Sequence, residues 1–431
     1  MFKNFIRYIS QSVAGMIGIS IYILADTFFI SLCNGSDGLT VLNLILPLYG
    51  LVFAIGAMIG MGSAIYYGLQ KASKKNTDFY FFQSLQWCLI ASVIFVLLGI
   101  FAPDMVLGLL GADEKIIRIG HDYIRIMMIF APAFMMNYTF TAFVRNDNAP
   151  SIAMIGSLIG SGFNIVFDYI LMFPVGMGLA GAALATALSP IVTMSICCIH
   201  FFSGNNTIGF GRKRLSFSHL KKICALGTSA FINELSSAVT TIVFNFLILN
   251  LAGNIGVAAY GVIANIALVA NAIFNGVAQG IQPLLSDSYG KGERNKLSYY
   301  LKTGVCFTII LELIIQFVAW MFTDSLIGIF NSEGDVQLLM YARDGIRIYC
   351  AGFLIAGINI LLLSYFAATN NTKPVFIGSM LRGVIAITGF ALILSNLGMR
   401  GIWFSFISSE LFTLLTIFII KLKNMLTEKD A

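Results

Sequence analysis

Apolar stretches of about twenty residues recur along the whole chain, each followed by only a short polar segment. A helix that crosses a hydrocarbon layer of about 30 Å needs roughly 20 such residues, because lipid offers no partner to a free backbone N–H or C=O. Stretches of this kind lie near 9–32, 40–69, 85–110, 121–144, 151–172, 178–203, 221–252, 256–288, 299–322, 337–369, 374–396 and 400–420. They predict an all-α membrane protein of twelve transmembrane helices. Charge supports this: 11% of the residues are charged and 58% hydrophobic, whereas soluble domains carry roughly 25% charged residues. Too little charge remains to coat a water-exposed globule, and the lipid bilayer is the expected surrounding. Lys3 and Arg7 precede an apolar run that continues to Leu32 without a small-residue cleavage site, so the first stretch reads as a spanning helix and not as a removed signal.

The longest polar segment divides the spans six and six. It contains Gly204-Asn205-Asn206 and Arg212-Lys213-Arg214, and the expected organisation is an N-lobe over 1–202, a linker over 203–219 and a C-lobe over 220–431. Loops on the side of the N-terminus, linker and C-terminus hold nineteen Lys and Arg, and the opposite loops hold four, Lys115, Arg118, Arg343 and Arg400. That bias places both termini in the cytoplasm of a multi-pass protein of a bacterial cytoplasmic membrane. It also accounts for the net charge of +6 without a nucleic acid partner. The halves repeat: Asp122-Tyr-Ile-Arg125-Ile recurs as Asp344-Gly-Ile-Arg347-Ile, Gly178-Leu-Ala-Gly181 as Gly398-Met-Arg-Gly401, and Asn245 falls 219 positions after Asp26. Six helices per half is an even number, so the lobes share one orientation and are expected to be pseudo-symmetric about an axis along the membrane normal, with the path between them.

Three stretches carry a family resemblance: Phe274-Asn-Gly-Val-Ala-Gln279-Gly-Ile-Gln282-Pro283 running on to Gly292, Asn164-Ile-Val-Phe-Asp168 followed by Gly178-Leu-Ala-Gly181, and Ile232-Asn-Glu234-Leu. Together they resemble the multidrug and toxic compound extrusion (MATE) transporters, in particular the MepA-like bacterial branch. The resemblance implies antiport of drugs or metabolites against H⁺ or Na⁺. One departure stands out. Some relatives have a proline in helix one that is invoked in bending on protonation, but residues 9–32 contain none. Prolines 47, 132, 190 and 283 fall within helices two, four, six and eight instead, where kinks can act as hinges.

Ionisable groups inside spans are functional candidates because burying them is costly. Asp26 is either a near-surface aspartate or a coupling carboxylate that exchanges a proton in a desolvated site; the family match favours coupling. Asn164 and Asp168, four apart, share a face of helix five and offer oxygens suited to a small cation. Thr186 on the next helix adds a hydroxyl. The resemblance implies that Asp26, Asn164, Asp168 and Thr186 form the cation-coupling site, which would also hold Na⁺; the alternative is a polar network between helices. Glu234 is expected to bind a cationic substrate or to pair with Arg382. Asn271, Asn275 and Gln279 line one face of helix eight, and with Gln282 they are candidate substrate contacts or interhelical hydrogen-bond partners. Glu312 and Glu410 are expected to be structural.

The function this supports is a monomeric cation-coupled antiporter, H⁺ or Na⁺, that exports amphipathic cations by alternating access. No cofactor is expected beyond the coupling ion. A flippase for lipid-linked sugars is the alternative; it would favour a strongly cationic cavity. An enzyme is not expected: His121, His200 and His219 have no metal-ligand spacing, and no nucleophile motif or phosphate loop is present.

Overall fold

The computed structural model describes residues 1–211, 215–330 and 335–429; the triplet Arg212-Lys213-Arg214 of the linker lies outside the described residues. Among the described residues, eleven helices are long and apolar enough to cross a membrane, and a bent pair taken as one span makes the twelfth. They are α1 (Phe2–Gly35), α2 (Thr40–Ala72), α3 (Tyr80–Phe101), α4 (Glu114–Ile129 and Ala131–Asn146, bent by 44°), α5 (Pro150–Met172), α6 (Leu179–Phe202), α7 (Phe217–Gly253), α8 (Ile255–Gly290), α9 (Arg294–Met321), α10 (Val336–Ala368), α11 (Thr372–Leu397) and α12 (Met399–Ile420). The third span ends earlier than its apolar composition suggests. Ala102 breaks it and Pro103 starts a separate short helix, Pro103–Leu109. Pro132 follows the bend of α4 at Phe130, as expected of a residue that removes a backbone donor from the next turn.

Each lobe has its own core. Tyr123, Phe134, Met128 and Ile30 centre one, and Trp403, Phe244, Tyr349 and Phe353 centre the other. The repeat is visible in the backbone exceptions. Among the described residues, eight of the ten with positive φ form pairs, Gly35 and Gly253, Lys74 and Gly292, Asn148 and Asn370, Gly178 and Gly398; Gly111 and Gly176 stand outside them. Asp113 and Asp335 both cap helix N-termini through their side chains. The contact of His121 Nδ1 with Asp104 (2.5 Å) has its counterpart in the ion pair of Arg343 with Asp324 (2.8 Å). One assignment changes. The glycines that break α1 from α2 and α7 from α8 are 218 apart, which sets Asp26 opposite Phe244 and leaves Asn245 opposite Thr27. Phe244 is fully buried in the C-lobe core, so the carboxylate of α1 has an apolar counterpart.

The lobes meet at the end that carries the Lys- and Arg-rich loops, called the basic end here. Phe5 and Ile9 of α1 pack with Val277, Ile281 and Leu285 of α8, and Ile65 and Leu69 of α2 pack with Leu226 of α7 and Leu363 of α10. Lipid gives no hydrophobic drive for helices to associate, so close approach falls to small residues. Gly62 and Gly227 sit where α2 crosses α7; a Cβ on either would come within 2.2 Å of the Ile223 or 2.0 Å of the Met58 carbonyl oxygen. Gly276 and Gly280 of α8 lie in the same way against Val13 and Ile9 of α1.

The described part of the linker is not a free tether. Gly211 N–H donates to the Asp78 carbonyl at 2.8 Å, and Ile208 is buried under Phe81 and Phe143. Buried Asp147 ties it down. Its carboxylate accepts from Lys71 Nζ (2.5 Å), Tyr67 Oη (3.1 Å), the Thr207 N–H (2.8 Å) and the Thr207 hydroxyl, and it lies 2.8 Å from His200 Nε2. Burial would by itself raise the pKa of Asp147, but the hydrogen bonds from Lys71, Thr207 and His200 outweigh it and hold the carboxyl below its ordinary value. A depressed carboxylate pKa contributes stability at pH above the unfolded value, about 3.9, and that contribution is lost as pH falls through the folded value. Asp147→Asn is therefore expected to lower stability near pH 7 by about 1–3 kcal/mol. The gap to wild type should narrow on acidification below about pH 4. Thermal unfolding in detergent across pH measures this, and an unchanged melting curve at neutral pH would show that the strap does not hold the fold.

Candidate functional site

A cavity of about 480 Å³ lies between the lobes, within the roughly 300–1,000 Å³ range of small-molecule sites. A recess of about 90 Å³ extends from it toward the basic end, bordered by Ile65, Leu226 and Gln282. Both lobes contribute walls. Gln11, Tyr22, Tyr138 and Arg145 come from the N-lobe, and Glu234, Asn271, Asn275, Gln279 and Arg382 come from the C-lobe.

The four expected cation-coupling residues converge behind the N-lobe wall. Asn164 and Asp168 are fully buried on α5, Asp26 on α1 is 8% exposed and Thr186 on α6 is 5% exposed. Asn164 Nδ2 donates to Thr186 Oγ1 at 3.0 Å. Asp26 and Asp168 are direct neighbours across α1 and α5. Apart from the contact between the Asp26 and Asp168 carboxyl groups themselves, Asp26 Oδ1, Asn164 Oδ1 and both Asp168 carboxyl oxygens have no hydrogen-bond partner. Buried oxygens normally find partners, and two carboxylates in so dry a place cannot both carry uncompensated charge. The arrangement suits a proton shared between them or a small hard cation, with Asn164 supplying an amide oxygen. Thr186 and Ser161 also border the cavity, which brings the site one side chain from the central space. Among the described residues no group of three or more His, Cys, Asp or Glu side chains forms a metal site.

Glu234, Asn271, Asn275 and Gln279 all face the cavity, as their spacing suggests, and Gln282 borders the recess. Glu234 does not pair with Arg382. Its Oε1 accepts from Tyr138 Oη at 3.1 Å, a bond that joins the lobes at the cavity floor. Arg382 pairs with Glu410, Nε to Oε1 at 2.8 Å, and Asn359 Nδ2 donates to Glu410 Oε2 at 2.7 Å. Glu410 thereby gains a specific partner, while Glu312 accepts from the Ile358 N–H at 2.9 Å. Gln279 and Gln282 are engaged across the lobes: Arg145 Nη1 donates to Gln279 Oε1 at 2.7 Å, and Asn146 and Gln282 exchange amide hydrogen bonds at 3.1 and 3.3 Å.

Sequence reasoning missed Arg145 and Tyr138. Arg145 counted as a loop residue because it precedes the turn at Asn146, yet its long side chain reaches back into the cavity. Tyr138 stands in the polar run Asn137-Tyr138-Thr139 within the span, and that run was the signal available, since a buried phenol needs a partner.

The profile of the MatE family matches residues 12–170 and again 230–390. The two matched segments follow the internal repeat. The multidrug export protein MepA of Staphylococcus saprophyticus is 25% identical over 414 residues, 95% of this chain and 91% of that protein. MepA of Staphylococcus haemolyticus is 24% identical over all of this chain and 96% of its own length. Among solved structures, the outward-facing conformation of a multidrug resistance MATE transporter superposes with a TM-score of 0.91 at 21% identity, over 100% of this chain and 97% of the other. A superfamily transporter of Pyrococcus furiosus, described as having a binding pocket of reverse polarity, superposes at 0.90 with 22% identity, over 99% and 96% of the two chains. With its profile matched across both lobes and its fold shared end to end, the chain belongs to the MatE family of membrane transporters.

Proposed function

We propose that the protein exports amphipathic cations, drugs or metabolites, in exchange for H⁺ or Na⁺. The observation that carries this reading is the group of unpartnered buried oxygens at Asp26, Asn164 and Asp168, one side chain away from a cavity that also holds Glu234. A carboxylate in a dry cavity favours a cation over an anion. The exchange follows from simple competition, because a proton or sodium ion neutralises carboxylates that would otherwise hold or assist the cargo. The relatives' names, multidrug export proteins, support the same substrate class. With the basic end in the cytoplasm, lobes joined at that end correspond to an outward-facing state, and both termini lie inside a bacterial cytoplasmic membrane. The protein acts as a monomer on this reading, since each chain contains both lobes of the cavity.

Accumulation of a cationic dye inside everted vesicles, which is the direction of export in that orientation, under separately imposed proton and sodium gradients tests the reading. Acceleration by one gradient is the expected result; equal accumulation with neither gradient would rule out coupling. Arg145 and Arg382 in the cavity wall favour a second reading, export of lipid-linked sugars with anionic headgroups. Glu410 balances the charge of Arg382, which leaves Arg145, donating to the neutral Gln279 amide oxygen, as the one uncompensated base of the two against Glu234 and the neighbouring aspartates, so the cation reading ranks first.

A further inference from the structure

Cation capture does not account for one part of the C-lobe wall. At Leu381–Ile385 the helix α11 widens into a turn of π-helix that contains Arg382. Single π turns re-aim side chains and recur at functional sites. The Arg382 side chain is 10% exposed, and it borders both the cavity and the recess. A guanidinium carries five N–H donors in a rigid planar fork. The Nε edge is committed to Glu410, 2.8 Å from Oε1 and 3.1 Å from Oε2. The outer fork is held only loosely, with Nη1 3.5 Å from Asn233 Oδ1 and Nη2 3.5 Å from Asn271 Oδ1. Glu410, which also borders the cavity, thus balances the charge at the Nε edge while the two terminal nitrogens present donors at the cavity wall.

A carboxylate matches such a fork with two parallel hydrogen bonds, a geometry that an ammonium cannot reproduce. Asn233 directly precedes Glu234 on α7, so the fork and the Glu234 carboxyl group belong to the same wall. We infer that Arg382, flanked by Asn233 and Asn271, forms an acceptor subsite for the carboxylate of a zwitterionic amphiphile whose cationic end is drawn to Glu234. The subsite breaks the symmetry between the lobes: the residues 220 to 222 positions earlier, Gly162, Ser161 and Gly160, offer no basic side chain. This inference rests on the export reading and narrows its substrate class to molecules carrying both charges.

The test uses a xanthene dye with a free benzoate carboxylate and its ethyl ester, two cationic probes that differ only in the acid. Binding to the purified full chain in nanodiscs is followed by fluorescence anisotropy. Arg382→Gln combined with Glu410→Gln removes both charges of the pair and leaves neither orphaned. Its affinity for the acid should fall about tenfold or more, the scale of a hydrogen bond to a charged group. The ester should be bound about as well as by wild type. If the double variant does not fold, Arg382→Lys alone decides by the same selective loss, since it keeps charge and removes the fork. Equal losses on both dyes, or no loss on the acid, overturn the subsite. If wild type binds and exports the ester but does not bind the acid, the subsite is wrong and cation export stands. If wild type binds neither dye, both readings fall.

Discussion

Asp26→Asn and Asp168→Asn are each expected to reduce gradient-driven dye efflux by about 5–150-fold, the usual range of a coupling factor between two ligands. Both carboxylates are buried, adjacent and short of partners, so their charge states are the ones a coupling ion can change at least structural expense. An amide keeps the shape of the side chain, fills it with donors and cannot exchange a proton. Dye binding itself should survive, because Glu234 and the α8 amides face the cavity from the other lobe. The measurement is dye accumulation in everted vesicles alongside dye affinity and thermal stability of the purified variants. Loss of stability with full coupling in both variants would identify the group as a structural network between α1, α5 and α6 and remove it from the mechanism.

The second large effect concerns access. Gly227→Val should prevent the lobes from closing at the basic end, because the added Cβ would stand 2.0 Å from the Met58 carbonyl oxygen and 2.8 Å from its carbon. Backbone atoms of a packed helix do not yield as a flexible side chain does, so α7 and α2 must part. The lobe bonds above that crossing, Arg145 with Gln279 and Tyr138 with Glu234, lie at the same interface and would open with it. A single cysteine at Met61, which borders the recess, in a background without the seven native cysteines, reports the change. Its modification from the basic-loop side by an impermeant thiol reagent is expected to rise about tenfold or more, a shift of about 1.4 kcal/mol between the two states. Efflux should fall in parallel. Unchanged modification would mean that this crossing does not gate the cavity. Gly227→Ala provides the graded case, with a smaller displacement and a smaller rise.

Much of the architecture is written locally in the chain. Spans of about twenty apolar residues, the glycines that break them, and the Asp caps near the starts of the amphipathic segments repeat at offsets near 220 and need no long-range information. Asn164 and Asp168 are legible as a pair because helical periodicity alone places them on one face. What the chain could not reveal is how the faces are matched. Arg382 pairs with Glu410, 28 positions on, rather than with Glu234, and its terminal nitrogens lie near Asn233 and Asn271, 149 and 111 positions back; a span sequence carries no sign of which helix lies beside it. Arg145 reads as a loop cation until the fold shows its side chain returning to the cavity. The offset of 219 that set Asn245 opposite Asp26 fails by one residue because only the helix breaks at Gly35 and Gly253 define the true register. Periodicity and hydropathy specify each helix by itself; the pairing of buried charges depends on helix rotation and crossing, which close packing between distant segments decides.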